Sequence, residues 1–153
     1  MIRKAKLKDA GMIAALIKVY ADEQKMLHRK RKDVAENIRD YFVVDINKNI
    51  IGCVALHLYN ENLSEIKALA VDKKFLKQDW GKRLIEKCLE EAINLEIPKI
   101  FALTYIPDFF KKYGFKKMDK AELPEKIWKE CMECKKYNNC DEICMYYANR
   151  PNA

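Results

Sequence analysis

The chain has 153 residues and a formal net charge of +7; half of its residues are hydrophobic, 35% are charged, and only four are glycine and four proline. This composition suits one domain with a full core and argues against disorder, repeats and low-complexity linkers. Lysine and arginine are interleaved with 23 acidic residues over both halves and no aromatic-basic pattern stands out, so a solvated basic surface, and no nucleic-acid partner, is expected.

In chain order, Ile2 to Lys6 reads as a short strand. Asp9 to about Lys25 reads as a helix with core positions Met12, Ile13, Leu16, Ile17 and Tyr20. A basic turn, Met26 to Lys32, precedes a short helix from Asp33 to Arg39. Tyr41 to Ile46 and Ile50 to Tyr59 form a hairpin across Asn47-Lys48-Asn49, and Ser64 to Val71 adds the next strand. A helix from Trp80 to Leu95 presents Leu84, Ile85, Cys88, Leu89, Ala92 and Ile93 on one face. A strand at Lys99 to Thr104, a short helix near Pro107 to Lys112 and a strand after Gly114 follow. The last forty residues read as a helix from about Pro124, a cysteine-rich turn and a strand from Glu142 to Tyr147. The start, Met-Ile-Arg-Lys-Ala-Lys, lacks the apolar run of a signal peptide, and no stretch approaches the roughly 20 apolar residues of a membrane span. A cytoplasmic protein with no membrane partner is expected.

The strand Ser64-Glu-Ile-Lys-Ala-Leu-Ala-Val71, the charged turn after it and the helix opening at Trp80-Gly81-Lys82 form a unit whose helix N-terminus can hold a diphosphate on backbone N–H groups. This unit resembles the acyl-coenzyme A signature of the GNAT superfamily. The runs Gly52 to His57, Ser64 to Val71, Phe101 to Phe110, Gly114-Phe115, Glu122 to Pro124 and Cys134 to Glu142 further resemble the short, stand-alone bacterial N-acetylglutamate synthases. The match extends from Ile2 to Met145. The resemblance implies an α/β (α+β) GNAT fold over residues 1–153. Its mixed, mostly antiparallel sheet would be flanked by helices, with a cysteine-rich C-terminal segment (about 120–153) on the substrate side. It also implies an acyltransferase that moves acetyl from acetyl-CoA to the α-amino group of L-glutamate in arginine biosynthesis, and a homodimer.

The diphosphate loop departs from the family pattern of Gln or Arg, two variable residues, Gly, one variable residue and Gly or Ala. Here the six positions read Leu76-Lys-Gln-Asp-Trp-Gly81. Leu76 stands at the Gln/Arg position and Asp79 at the first glycine, where it repels a diphosphate yet suits a helix N-cap. Lys77, Lys82 and Arg83 offset that repulsion by Coulomb attraction.

The resemblance places the diphosphate at Gln78, Asp79, Trp80, Gly81 and Lys82, with Lys77 beside it. The thioester falls near Leu69, Ala70 and Val71, where a backbone N–H polarises its carbonyl, and the pantetheine runs beside Thr104. Glu65 matches a glutamate near the acetyl-transfer centre and suits a base acting directly or through water; the bland alternative is an edge-strand glutamate paired with Lys67. Phe110 stands where many GNAT enzymes carry an acid tyrosine. Tyr105, and after it Tyr113, are the candidates for that proton. Arg29, Lys67 and Lys136 match substrate-binding cations, although His28 and Lys30 replace the proline and serine usual beside Arg29. His57 lies on the strand face of Cys53 and Ala55, where it orients substrate or replaces Glu65 as base.

Cys53 and Cys88 fall on apolar faces as small core residues. Cys131, Cys134, Cys140 and Cys144 are spaced as a structural zinc loop, as a disulfide pair, or as free structural thiols. Two other functions stay open beside glutamate acetylation: a GNAT enzyme acting on another amine or amino acid, and a non-catalytic binding module that has lost acetyl-CoA through its altered loop.

Overall fold

The computed structural model describes residues 1–123 and 142–148. Its strands are β1 (Ile2–Lys4), β2 (Tyr41–Ile46), β3 (Asn49–Asn60), β4 (Leu63–Val71), β5 (Lys99–Thr104), β6 (Lys116–Met118) and β7 (Ile143–Ala148). The helices are α1 (Ala10–Asp22), α2 (Arg31–Glu36), α3 (Trp80–Asn94) and α4 (Pro107–Lys111). The strands form one mixed sheet in the order β1-β2-β3-β4-β5-β7-β6; β4 and β5 pair parallel, while β1–β2, β2–β3, β5–β7 and β6–β7 pair antiparallel. This is the mixed sheet flanked by helices that the sequence led us to expect. No helix among the described residues is long and apolar enough to cross a membrane.

The chain divides into two compact units. The first comprises Met1–His57 and Ile66–Leu95. Its β2–β3 hairpin turns on Asn47 and Lys48, both left-handed with φ of 51° and 69°. Asn49 already pairs with Ile46, so the turn is one residue shorter than the sequence suggested. Consecutive left-handed residues match the twist of the strands that they join. One core cluster joins Ala10, Ile13 and Ile17 of α1 and Val34 of α2 to Tyr41, Val43, Cys53 and Ala55 of the hairpin.

Met12, expected in that core, is 46% exposed. The buried stripe of α1 is Ala10, Ile13, Ile17 and Ala21. Likewise α3 buries Leu84, Ile85, Cys88 and Ala92 but leaves Ile93 57% exposed, about 100° around the helix from Ala92. A Cβ on Gly52 would stand 3.1 Å from Val44 Cγ2 and 3.4 Å from Leu84 Cδ1, so glycine lets α3 approach the sheet at that point. Cys53 and Cys88 are fully buried, as expected of small core residues.

Asp9 braces this unit from its N-terminal end. Its carboxylate accepts from Arg3 Nη1 at 2.8 Å, Arg3 Nη2 at 3.1 Å and the Lys6 N–H at 2.8 Å. Those bonds satisfy a carboxylate that is almost wholly buried.

The second unit comprises Leu58–Glu65 and the described part of residues 96–153. The parallel ladder runs from Leu63↔Lys99 to Glu65↔Phe101, and β7 pairs with β5 on one side and β6 on the other. Leu63, Phe101, Leu123 and Cys144 form its core, with Tyr59, Leu103, Met118 and Tyr146 packed around them. Gly114 enters β6 with φ +89°, a conformation that L side chains rarely adopt. The helix expected from about Pro124, Lys136 and Cys131, Cys134 and Cys140 lie outside the described residues.

Candidate active site

In the first unit, the charged turn and α3 build an anion-receiving helix end. Asp79 occupies the N-cap position of α3 with φ 59° and ψ 20°, and its side chain makes no capping hydrogen bond. The expected Asp N-cap is therefore present by position but not by chemistry. A left-handed backbone points its carboxylate away from the N–H groups that an extended N-cap residue reaches. Those orphan N–H groups at the start of α3 keep the partial positive charge that binds anions. Trp80 Nε1 donates to Gln78 Oε1 at 3.2 Å, and the Arg83 guanidinium lies 4.5 Å from the Trp80 ring centroid. Lys77 and Lys82 are exposed beside them. Lys77, Gln78, Asp79, Trp80, Gly81 and Lys82 are consecutive in the turn and the first residues of α3.

Upstream, β4 carries Ala68 with φ 56°, a left-handed step within a strand. Cys53 Sγ donates to the Ala68 carbonyl at 3.4 Å. Leu69, Ala70 and Val71 follow, and the Tyr20 hydroxyl donates to the Val71 carbonyl at 2.6 Å, fixing the end of the strand. Lys67, just before the step, is half-buried.

A second group of polar side chains lines the same unit at the α2 end of the hairpin. Arg29 Nη1 lies 3.7 Å from Asp33 Oδ2, with the Arg29 side chain 14% exposed. His57 Nδ1 and Asp40 Oδ2 are 2.7 Å apart. Such a pair fixes the ring orientation, the carboxylate accepting from Nδ1–H when that nitrogen carries its proton. Tyr41 is paired with Ala55 across the hairpin and is 2% exposed; burial raises its phenol pKa, opposed by the positive charge of Arg29.

In the second unit, Glu65 is 7% exposed and its Oε1 accepts from the Tyr59 hydroxyl at 2.6 Å. The Tyr59 ring stacks on Phe101 with centroids 5.8 Å apart. β4 has neighbours on both sides, so the edge-strand alternative for Glu65 is overturned. Thr104 is buried and its Oγ1 accepts from the Ile106 N–H at 2.9 Å. Tyr105 and Tyr113 are half-buried. Phe110 is buried edge-on against Phe109 and Phe115, so its ring is committed to packing. Cys144 lies in the core, where burial, reinforced by the negative charge of Glu65, pushes its thiol up to about 12. Among the described residues no cluster of three or more His, Cys, Asp or Glu side chains is arranged to hold a metal.

Three partners escaped the sequence: Tyr59 for Glu65, Asp40 for His57 and Tyr20 for Val71. Only the first had a local signal, since Tyr59 and Glu65 flank the same two-residue turn at Glu61-Asn62.

The chain is 40% identical over 148 residues to a protein of Chlorobaculum tepidum described as an uncharacterized N-acetyltransferase, covering 94% of this chain and 93% of that one. It is 32% identical over 126 residues to an amino-acid acetyltransferase of Neisseria meningitidis, covering 81% of this chain but only 29% of that longer protein. Its fold matches the N-acetylglutamate synthase of Neisseria gonorrhoeae complexed with coenzyme A and N-acetyl-glutamate, with a TM-score of 0.87 and 27% identity over 98% of this chain and 35% of that one. The profile of the acetyltransferase (GNAT) family matches residues 10–115, a span that includes β4, the charged turn after it and α3. The chain belongs to the GNAT family of acetyl-CoA-dependent acetyltransferases.

Proposed function

We propose that the protein transfers acetyl from acetyl-CoA to the α-amino group of L-glutamate, the first step toward ornithine and arginine. The observation that supports this most is the similarity, along nearly the whole chain, to the gonococcal synthase whose structure holds coenzyme A and N-acetyl-glutamate. In this reading the protein is one cytoplasmic domain over residues 1–153, acting as a homodimer.

The amine nitrogen attacks the thioester carbonyl carbon; a C–N bond forms, the C–S bond breaks, and the thiolate leaves. Glu65 takes the amine proton directly or through a water, and Tyr105 returns a proton to the thiolate. His57, oriented by Asp40, is the second choice as base. A backbone N–H of Leu69, Ala70 or Val71 stabilises the developing oxyanion, which an aimed donor does most effectively in a dry site. Lys77, Gln78, Trp80, Gly81 and Lys82 take the diphosphate, against the charge of Asp79. Thr104 and Phe110 flank the pantetheine. Arg29, His57, Lys67 and Lys136 receive the glutamate, Arg29 offering the planar fork that suits a carboxylate.

Thiol release from acetyl-CoA, measured at pH 8 with each of the twenty amino acids in turn, tests this. Release with glutamate alone is expected; release with a different amino acid, or with none, overturns the assignment.

A further inference from the structure

Tyr20 stands in the last turn of α1, and its hydroxyl donates to the Val71 carbonyl at 2.6 Å. Val71 is the last residue of β4 and is buried, so its carbonyl needs a partner within the protein. The same peptide unit is held from its other side: the Asp72 N–H donates to the Ile51 carbonyl of β3 at 2.7 Å. The C=O and N–H of a planar trans peptide point in opposite directions, so anchors on two different elements fix its rotation. Upstream, the Ala68 carbonyl is taken by Cys53 Sγ, which by the same geometry turns the Leu69 N–H away from that thiol. Leu69, Ala70 and Val71 thus lie between two peptide units that side chains from other elements tie down.

The donor is itself rigid. The Tyr20 carbonyl accepts from the N–H groups of Glu23 at 3.1 Å and Lys25 at 3.0 Å, around the left-handed Gln24, as helix ends commonly close. The Tyr20 ring packs against the core cluster of α1 and the hairpin. Lys73 Nζ lies 5.7 Å from the ring centroid and pairs with Glu23. With ring and backbone both held, the hydroxyl meets Val71 with little further loss of freedom. A phenylalanine would keep both contacts of the ring, so the oxygen serves the Val71 carbonyl.

We propose that Tyr20 is a positioning residue for acetyl transfer: by holding the Val71–Asp72 peptide, it keeps the N–H groups of Leu69, Ala70 and Val71 aimed at the thioester carbonyl. The inference rests on the reading above that places the thioester at these three residues. A donor to a developing oxyanion is most effective when it need not reorganise as charge appears, and a strand end anchored from two elements meets that requirement. Tyr20 acts in this role through Val71 and touches neither thioester nor acceptor.

The test is Tyr20→Phe in the full chain, with Lys73→Met as a companion that strips the ring of its cation and leaves the hydroxyl. Acetyl-CoA isotopically labelled at the acetyl carbonyl is bound to each protein, and the carbonyl stretching band is recorded by infrared difference spectroscopy. An aimed donor lowers that band. Wild type and Lys73→Met should lower it equally, and Tyr20→Phe only about half as far; kcat for thiol release with glutamate should fall roughly tenfold in Tyr20→Phe, less than the hundredfold or more for losing an oxyanion donor outright. Its acetyl-CoA affinity should stay within about twofold and its melting temperature within about 2–4 °C of wild type, the scale of one hydrogen bond in a chain of this size. The wild-type band and kcat in Tyr20→Phe overturn the proposal. A Tyr20→Phe protein that melts far lower or loses acetyl-CoA has lost structure instead and overturns it too, as does a Lys73→Met protein that weakens the band as much as Tyr20→Phe. A wild type that binds acetyl-CoA without lowering the band overturns the placement of the thioester and the proposal together. A band weakened by Tyr20→Phe alone, with no release on glutamate, supports Tyr20 and overturns only the acceptor.

Discussion

The Tyr59 hydroxyl donates to Glu65 Oε1 at 2.6 Å, and the Tyr59 ring is itself held against Phe101, a fully buried residue of the parallel ladder. The side chain expected to act as base is therefore positioned by a rigid aromatic donor. Glu65→Gln should lower kcat by about a hundredfold or more, the range for loss of a positioned base, with acetyl-CoA affinity unchanged within twofold. Tyr59→Phe keeps the ring stack and should cost kcat a smaller factor, about five- to tenfold. Steady-state kinetics with a parallel coenzyme A titration separates the two effects, and equal kcat in Glu65→Gln and wild type removes Glu65 from the mechanism.

At Asp79 two penalties coincide: a left-handed backbone at φ 59° and a carboxylate beside an anion-receiving helix end. Asp79→Gly relieves both and should lower the KM for acetyl-CoA about two- to fivefold, the equivalent of roughly 0.3–1 kcal/mol for one charge at a helix N-terminus. Asp79→Asn, which removes only the charge, should do nearly as well. If neither variant alters the KM, the side chain faces away from the diphosphate.

The Arg3–Asp9 brace gives a pH signature. Arg3 donates to the Asp9 carboxyl and holds it below its ordinary value of 3.8, with burial opposing. A carboxyl whose folded value is depressed contributes stability that is fully present above the unfolded value and fades as pH falls through the folded one. Asp9→Asn should therefore cost about 2 kcal/mol at pH 7, a melting decrease of roughly 4–8 °C. The gap between the two proteins should narrow as pH drops below about 4. A gap independent of pH would mean that the carboxylate charge contributes nothing.

Cys144 offers a chemical test of the C-terminal strand. With its thiol pushed up to about 12, the thiolate that reacts is scarce at pH 8. Iodoacetamide followed by mass spectrometry should leave Cys53, Cys88 and Cys144 unmodified in the native protein and label all three after denaturation. Zinc measured on the purified protein should be the same in Cys144→Ala as in wild type; loss of bound zinc on that substitution would identify Cys144 as a ligand.

Most elements were legible because periodicity reports burial directly: β5 spans Lys99–Thr104 as read, and Leu84, Ile85, Cys88 and Ala92 line the inner face of α3. The misreadings share a cause. Met12 and Ile93 are apolar and sit beside the buried stripe, but whether a flanking apolar residue is covered depends on what lies opposite it, and a one-dimensional pattern carries no such information. Along the continuous stretch from Lys67 through Lys82, the order of strand, turn and helix was legible. The site was illegible where a side chain is held by a partner far along the chain, as with His57 and Asp40, 17 residues apart, and Tyr20 and Val71, 51 apart. Asp79 was misread for a different reason: residue type suggests an N-cap, while the cap forms only if the backbone is extended.

The left-handed Ala68 has a consequence for how the sheet assembles. A slip of one residue turns every side chain of a strand to the wrong face, so register is strongly specified wherever a face is buried. A single residue at φ 56°, received by the Cys53 thiol, acts as a notch that admits one alignment. A one-residue shift of β4 would carry the Ala68 carbonyl away from that thiol and turn Lys67, Leu69 and Val71 to the opposite face.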